Sequence, residues 1–202
     1  MTDFSHKYAD TRYPVMSEIA ERWSPYLFAP RDVETDKLRA CLEAARWSAS
    51  SYNEQPWRFI VATRDNPEQF AKALDCLLEA NQAWAKNVGV LILTAYSTQF
   101  SRNNQPNRVG FHDLGLAAAN LSIQAVHLGL FVHQMAGVNL AKVRQSYQVP
   151  DGFEIGTAIA IGYAAPTDDS ELGKRDKGSR SRKPFEDFVF SDKWGQPASI
   201  LK

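Results

Sequence analysis

Residues 42–61 read LEAARWSASSYNEQPWRFIV, and the change of pattern inside this stretch decides the fold. Upstream, Leu38, Cys41, Leu42 and Ala45 recur at helical spacing, which predicts a helix that Thr35 or Asp36 can cap. The pattern stops in a Ser/Asn-rich loop over 48–53. It resumes as the short apolar run WRFIVAT at 57–63, which reads as a strand. Working outward, Pro14, Pro25 and Pro30 punctuate the first thirty residues, with a short helix predicted over 16–22. Pro67 opens a third helix, with Phe70, Ala73, Leu74, Leu77 and Leu78 on one face. VGVLILTA, at 88–95, is apolar on both faces and so predicts a central strand.

A polar, Asn-rich loop follows at 97–108, and then a long, nearly all-apolar helix is predicted over 111–128. Its small residues, Gly115, Ala117, Ala118, Ala119 and Ala125, permit close packing. A short strand at 131–135, a helix capped by Asn139 and running through Tyr147, and a buried strand at 154–164 complete the pattern. After Pro166 the apolar periodicity ends, and ELGKRDKGSRSRKPFEDFVF reads as a tail without a core of its own. Alternating helices and strands predict an α/β or α+β protein with helices against a sheet. There is no repeat and no sign of a second domain, so residues 1–202 are expected to form one domain. Phe185, Phe188, Val189, Phe190 and Trp194 give the tail an apolar surface that should dock, most naturally on a partner subunit.

Charge narrows the function. Basic and acidic residues balance at 23 each, which argues against a nucleic-acid partner, since phosphate neutralisation needs excess positive charge. No apolar run approaches membrane-spanning length. The segment MTDFSHK has no apolar signal stretch behind it, so a cytoplasmic protein without membrane attachment is expected. Cys41 and Cys76 fall at apolar helical positions and read as buried free thiols. Neither common phosphate-loop motif is present, nor a nucleophile elbow. His6, His112, His127 and His133 form no metal-ligand pattern. His127 reads as a hydrogen-bonded core residue, and His112 and Asp113, as helix neighbours, should point apart. The chemistry would then have to come from a bound cofactor.

Four clusters remain: Arg22-Trp23-Ser24-Pro25-Tyr26, the loop SSYNEQPW at 50–57, Met135-Ala136-Gly137, and Arg180-Ser181-Arg182-Lys183-Pro184. Singly, each has a plainer reading: a helix-ending turn for SSYNEQPW, a turn needing positive φ for Ala-Gly, and a solvated charge run for the arginines. Together, in this order, they resemble the nitroreductase family over nearly the whole chain. The helix-to-strand passage at 42–61, FHDLGLAAANLSIQAVHLGL at 111–130, NQAWAKNVGVLIL at 81–93 and RSRKP at 180–184 carry the similarity.

The resemblance implies an α+β fold with a central mixed β-sheet flanked by helices. It also implies an intertwined homodimer whose C-terminal tails, about 184–202, are exchanged between subunits. It implies FMN at the dimer interface, NADPH or NADH as electron donor, and a small-molecule acceptor such as a nitroaromatic or quinone. By the same resemblance, Arg22 and Ser24, in the segment with Trp23, would hold the FMN phosphate, with Arg180 and Arg182 closing on it. Ser50, Ser51 and Asn53 would reach the flavin from the other subunit, and Asp113 would contact the site across the interface. Asn81 would bond the pyrimidine side of the ring, and Ala136 and Gly137 would present backbone N–H groups to N5 and O4. The flavin would carry the chemistry, with no separate catalytic side chain.

Two positions depart from the family pattern. Tyr26 and Trp84 stand where relatives often carry a basic side chain near the ring, which would weaken stabilisation of the reduced, anionic flavin. A non-enzymatic FMN-binding or storage protein, or another FMN reaction such as dehalogenation, fits the same resemblance.

Overall fold

The computed structural model describes residues 3–201. Four strands, β1 (Trp57–Thr63), β2 (Val90–Ser97), β3 (Phe131–Met135) and β4 (Phe153–Gly162), form one sheet in the order β1-β2-β4-β3. Every pairing is antiparallel, so within the described residues the expected mixed sheet is corrected to an antiparallel one. Unbroken apolarity in β2 and β4 reports cover on both faces, which helices here provide without parallel pairing. Val90, Ile92, Ile159 and Ile161 belong to one core layer, while Leu91, Leu93, Ala158 and Ala160 belong to the other, following the period-two alternation of a strand.

One face is covered by α2 (Thr35–Arg46) and α5 (Gly110–His127), which pack on each other and on the sheet. Leu114, Ala117, Ala118, Leu121 and Ala125 lie on the buried side of α5. The other face carries α3 (Pro67–Asp75), α4 (Glu79–Ala85) and α6 (Leu140–Ser146). The short α1 (Ser17–Glu21) packs on α5, and α7 (Glu171–Lys177) follows the sheet.

Local chemistry explains most boundaries. Asn66 and Asn139 cap α3 and α6 by accepting from Gln69 N at 3.2 Å and Lys142 N at 3.0 Å. α2 differs from expectation: Glu34 is its N-cap, and neither Thr35 nor Asp36 caps it. The Glu34 carboxylate is engaged instead by Arg31 and the Tyr163 hydroxyl, and with these bonds its pKa falls to about 2. α3 stops at Asp75, before Leu77 and Leu78. Leu77 turns into the core beside Val138, whereas Leu78 is half exposed at the start of α4. α7 corrects the reading of the tail as coreless, since Gly173 and Asp176 are buried and Leu172 packs on the core.

Three further residues differ from expectation. His127 is exposed at the end of α5 and pairs with Glu18 at 3.0 Å, so it is not a core residue. His112 Nδ1 lies 3.3 Å from Asp113 Oδ1, because the short Asp side chain folds back along the helix toward its neighbour. Cys41 and Cys76 are buried and free as expected, and burial pushes the Cys41 thiol up to about 11. The tail touches its own chain at its root, where Phe185 packs on Tyr13 and Glu186 pairs with Arg12, and near its end, where Leu201 O accepts from Arg12 Nη2 at 3.1 Å. Beyond that, Phe188, Trp194 and Ile200 remain exposed.

The register of β2 against β4 shifts between Leu93 and Ala95. There the Thr94 hydroxyl donates to Thr157 O and accepts from Thr157 N, both at 2.8 Å. Gly156 lies beside this bulge, and a Cβ on it would fall 2.7 Å from both Leu114 Cδ2 and Thr94 Oγ1. Gly156→Ala should therefore cost about 1–3 kcal/mol through overpacking. The measurement is the urea midpoint at unchanged m-value.

Candidate functional site

The site is built from two arms that come from opposite ends of the chain. Arg22 terminates α1 with extended backbone angles, so successive side chains alternate in direction from there. Trp23 turns inward, buried at 3% exposure between Phe4 and Phe131 at centroid distances of 5.5 and 5.7 Å. Arg22 and Ser24 turn the other way and meet, with Arg22 Nη1 donating to Ser24 Oγ at 3.2 Å. Both line an open cleft with Ala119 and Ser122 of α5 and Val132 and Gln134 of β3.

Arg180 and Arg182 approach this place from the tail. Burial first, and then the positive charges of Arg180 and Arg182, pull the Arg22 pKa down. Among the described residues no carboxylate forms an ion pair with any of the three. Three guanidinium groups gathered without a counter-ion form a site for an oxyanion, which guanidinium recognises by charge and by paired N–H donors. Arg180 has one arm already engaged: its Nη1 donates to Lys7 O at 2.6 Å and Ala20 O at 2.8 Å. Arg182 is exposed, and its Nη1 bonds only the adjacent Ser181 O.

The glycine turn follows β3. The Gly137 carbonyl accepts from Leu78 N at 3.0 Å and from Asn81 Nδ2 at 3.1 Å, which joins the turn to the start of α4. Gly137 is not among the positive-φ residues, so the expected conformational reason for glycine is corrected to a steric one. A Cβ there would run into the Asn81 amide nitrogen. Among the described residues, neither the Ala136 nor the Gly137 N–H donates to a turn or loop carbonyl.

Tyr26 and Trp84, the two positions that depart from the expected basic pattern, are brought together by His133. Trp84 stacks on His133 at 4.5 Å, and the Tyr26 ring stands edge-on to both, at 4.8 Å from His133 and 5.6 Å from Trp84. Trp84 is buried, and among the described residues its indole N–H has no partner. His133 Nδ1 lies 2.8 Å from Pro25 O, which makes it the N–H donor, and burial lowers the His133 pKa. The cluster is therefore aromatic, with the Arg175 guanidinium 5.5 Å over the Tyr26 ring.

Ser50, Ser51, Asn53 and Asp113 form a separate group at the junction of α2 and β1. Ser51 N donates to the buried Asp113 Oδ2 at 3.1 Å, and Ser50 Oγ accepts from Gln55 N at 3.0 Å. Tyr52, Asn53 and Gln55 all adopt left-handed backbone angles, with φ of 54°, 56° and 51°. No described hydrogen bond joins this group to Arg22, Arg180 or Arg182. Sequence reasoning missed Lys7, His133 and Asp176. Asp176 lay hidden in a charge run, and Lys7 and His133 carried no periodic signal.

The fold sets an arginine group, an aromatic cluster and a glycine turn around β3 of an α+β protein. The nitroreductase family model matches residues 19–163, and the chain belongs to the nitroreductase family. It is 30% identical over 148 residues to an uncharacterised 15.4 kDa protein of Mycolicibacterium smegmatis, covering 69% of this chain and 99% of that one. It is 24% identical to the major NAD(P)H-flavin oxidoreductase of Aliivibrio fischeri, over 88% of this chain and 98% of that one. A solved oxidoreductase containing FMN superposes with a TM-score of 0.85 at 30% identity, over 96% of this chain and 98% of its own.

The contact between Asn81 and Gly137 makes a test of the turn. Gly137→Ala alone should cost about 1–3 kcal/mol. In an Asn81→Ala background the same change should cost less than about half as much, because the colliding amide is gone. Urea unfolding of the four proteins in the cycle measures the coupling, and additivity would show that the turn does not depend on Asn81.

Proposed function

We propose that this chain is an FMN-dependent oxidoreductase that takes reducing equivalents from NADH or NADPH and passes them to nitroaromatics, quinones or related small acceptors. The observation that carries this reading is that Arg180 bonds Ala20 O at 2.8 Å, two residues before Arg22, with Arg182 next along the tail, while among the described residues no carboxylate pairs with any of the three. A terminal phosphate monoester matches that arrangement in charge and in donor geometry. The FMN-containing neighbour and the flavin oxidoreductase relative support the same cofactor.

When bound, FMN supplies the redox chemistry, accepting two electrons and a proton equivalent from the nicotinamide at ring N5. The chain's own residues hold and orient it. Arg22 and Arg182 bind the phosphate with charge-assisted N–H donors, and Ser24 adds a neutral hydroxyl. Arg180 braces the tail with one nitrogen and turns its remaining donors to the phosphate. Ala136 and Gly137 present backbone N–H groups to the ring edge, and Asn81 fixes the turn that aims them. Tyr26, Trp84 and His133 pack on one another as a buried aromatic support, with the Arg175 guanidinium 5.5 Å over the Tyr26 ring.

A homodimer completes the site in this reading. Ser50, Ser51, Asn53 and Asp113 reach the flavin from the second subunit, which explains why they stand apart from the arginine cluster within one chain. The tail beyond Phe185, with Phe188, Trp194 and Ile200 exposed, buries its apolar surface on the partner.

Purified protein should be yellow and release FMN rather than FAD on heating, and NADH or NADPH added without oxygen should bleach it within seconds. Arg22→Ala and Arg182→Ala should each weaken FMN binding by roughly ten- to hundredfold, the loss of one charge-assisted bond. Stable colour in the presence of both nicotinamides would favour a flavin-storage role. Unchanged affinity in both variants would move the phosphate elsewhere.

Deleting residues from Phe185 onward should convert the dimer to aggregate or to flavin-free monomer in sedimentation velocity. A monodisperse, flavin-loaded monomer would show that the tail serves only its own subunit.

A further inference from the structure

Two buried charges lie beneath the arginine cluster, and neither belongs to the segment matched by the family, residues 19–163 at its limits. Lys7 is 5% exposed and Asp176 is 2% exposed, a degree of burial that ionic side chains reach only when their charges and hydrogen bonds are answered. Lys7 Nζ donates to Gly178 O at 2.6 Å and stands 4.8 Å over the Trp23 ring. It therefore touches both arms of the site: the arm bearing Arg22 and Ser24 through Trp23, and the arm bearing Arg180 and Arg182 through Gly178. The tie is reciprocal, because Arg180 Nη1 donates back to Lys7 O at 2.6 Å.

Asp176 makes the second tie. It accepts from Tyr26 N at 3.0 Å and Leu27 N at 2.8 Å, joining α7 to the chain just after Ser24. Its negative charge acts on Lys7 and opposes the burial that disfavours the ammonium. The two ends of the chain are thus fastened at two points, Gly178 and Asp176, just before the tail segment that carries Arg180 and Arg182.

We propose that Lys7 and Asp176 form a clasp that sets the spacing of Arg22, Arg180 and Arg182, making both of them positioning residues for the cofactor's phosphate. This rests on the phosphate reading of the arginine cluster. Neither residue needs to touch the ligand. The clasp offsets the repulsion that would otherwise spread the arms before an anion arrives, so binding does not have to assemble them.

The experiment is a pair of titrations on the full-length chain stripped of flavin, one with FMN and one with riboflavin, which has the same ring and no phosphate. Lys7→Met keeps the length and apolar stem of the side chain while removing its charge and donors. It should weaken FMN binding by about tenfold or more and change riboflavin binding less than about twofold. Asp176→Asn, which keeps an acceptor for the two N–H groups, should show the same selectivity from the other side of the clasp. A purely scaffolding role would weaken both flavins in parallel. Equal loss of both, unchanged FMN affinity, or loss of folding in both variants would overturn the proposal. Arg22→Ala, run alongside, separates the two ideas. If it fails to distinguish FMN from riboflavin, the phosphate reading itself is wrong. If it distinguishes them and Lys7→Met does not, only the clasp is wrong.

Discussion

Three guanidinium groups held together without an intervening carboxylate is the arrangement on which the rest of this molecule turns. Left to itself, such a cluster would spread, since like charges repel and, among the described residues, no carboxylate pairs directly with any of the three. Here the surrounding framework holds it. Arg22 is fixed by the end of α1 and by Trp23, wedged between Phe4 and Phe131. Arg180 is anchored on two carbonyls. The same logic accounts for the otherwise unusual burial of a lysine and an aspartate beneath them.

The sheet was legible in the sequence because its signal is local. β1 and β3 fall where WRFIVAT and Phe131–Met135 predict them, and β2 and β4 within two residues of expectation. α5 declares itself by its length and its small residues. Strand direction was not legible, since apolarity on both faces reports cover and not pairing sense. α4 and α7, of seven residues each, show little periodicity of their own, whereas α6 is as short but is marked by its Asn139 cap. His127 was misread because composition places an apolar helix in the core without saying which residue ends it.

The site was legible in proportion to how much of it lies in contiguous motifs. The resemblance names Arg22, Ser24, Asn81, Ala136, Gly137, Arg180 and Arg182 as candidates, and the structure joins Arg22 to Ser24, Arg180 to Ala20 and Asn81 to Gly137. The reason for glycine at 137 could not be named, because a collision with an amide on another helix leaves no mark in either segment. Nor could the partnership of Tyr26, Trp84 and His133, three rings from distant stretches of chain that pack together. Long-range packing of this kind is a property of the assembled fold alone.

The five tryptophans divide sharply in environment. Trp23, Trp57 and Trp84 are buried, whereas Trp47 and Trp194 are 74% and 94% exposed. Two of the buried indoles lie in the segments that frame the site, with Trp84 stacked on a histidine and Trp23 beneath an ammonium group. The molecule therefore carries its own pair of optical reporters. A yellow chromophore seated beside the buried indoles would drain their short-wavelength emission by energy transfer. Trp194, at the far end of the tail, would glow at longer wavelength while water surrounds it and shift to the blue when another surface covers it. Cofactor loading and tail burial could thus be followed in one emission spectrum, without any label.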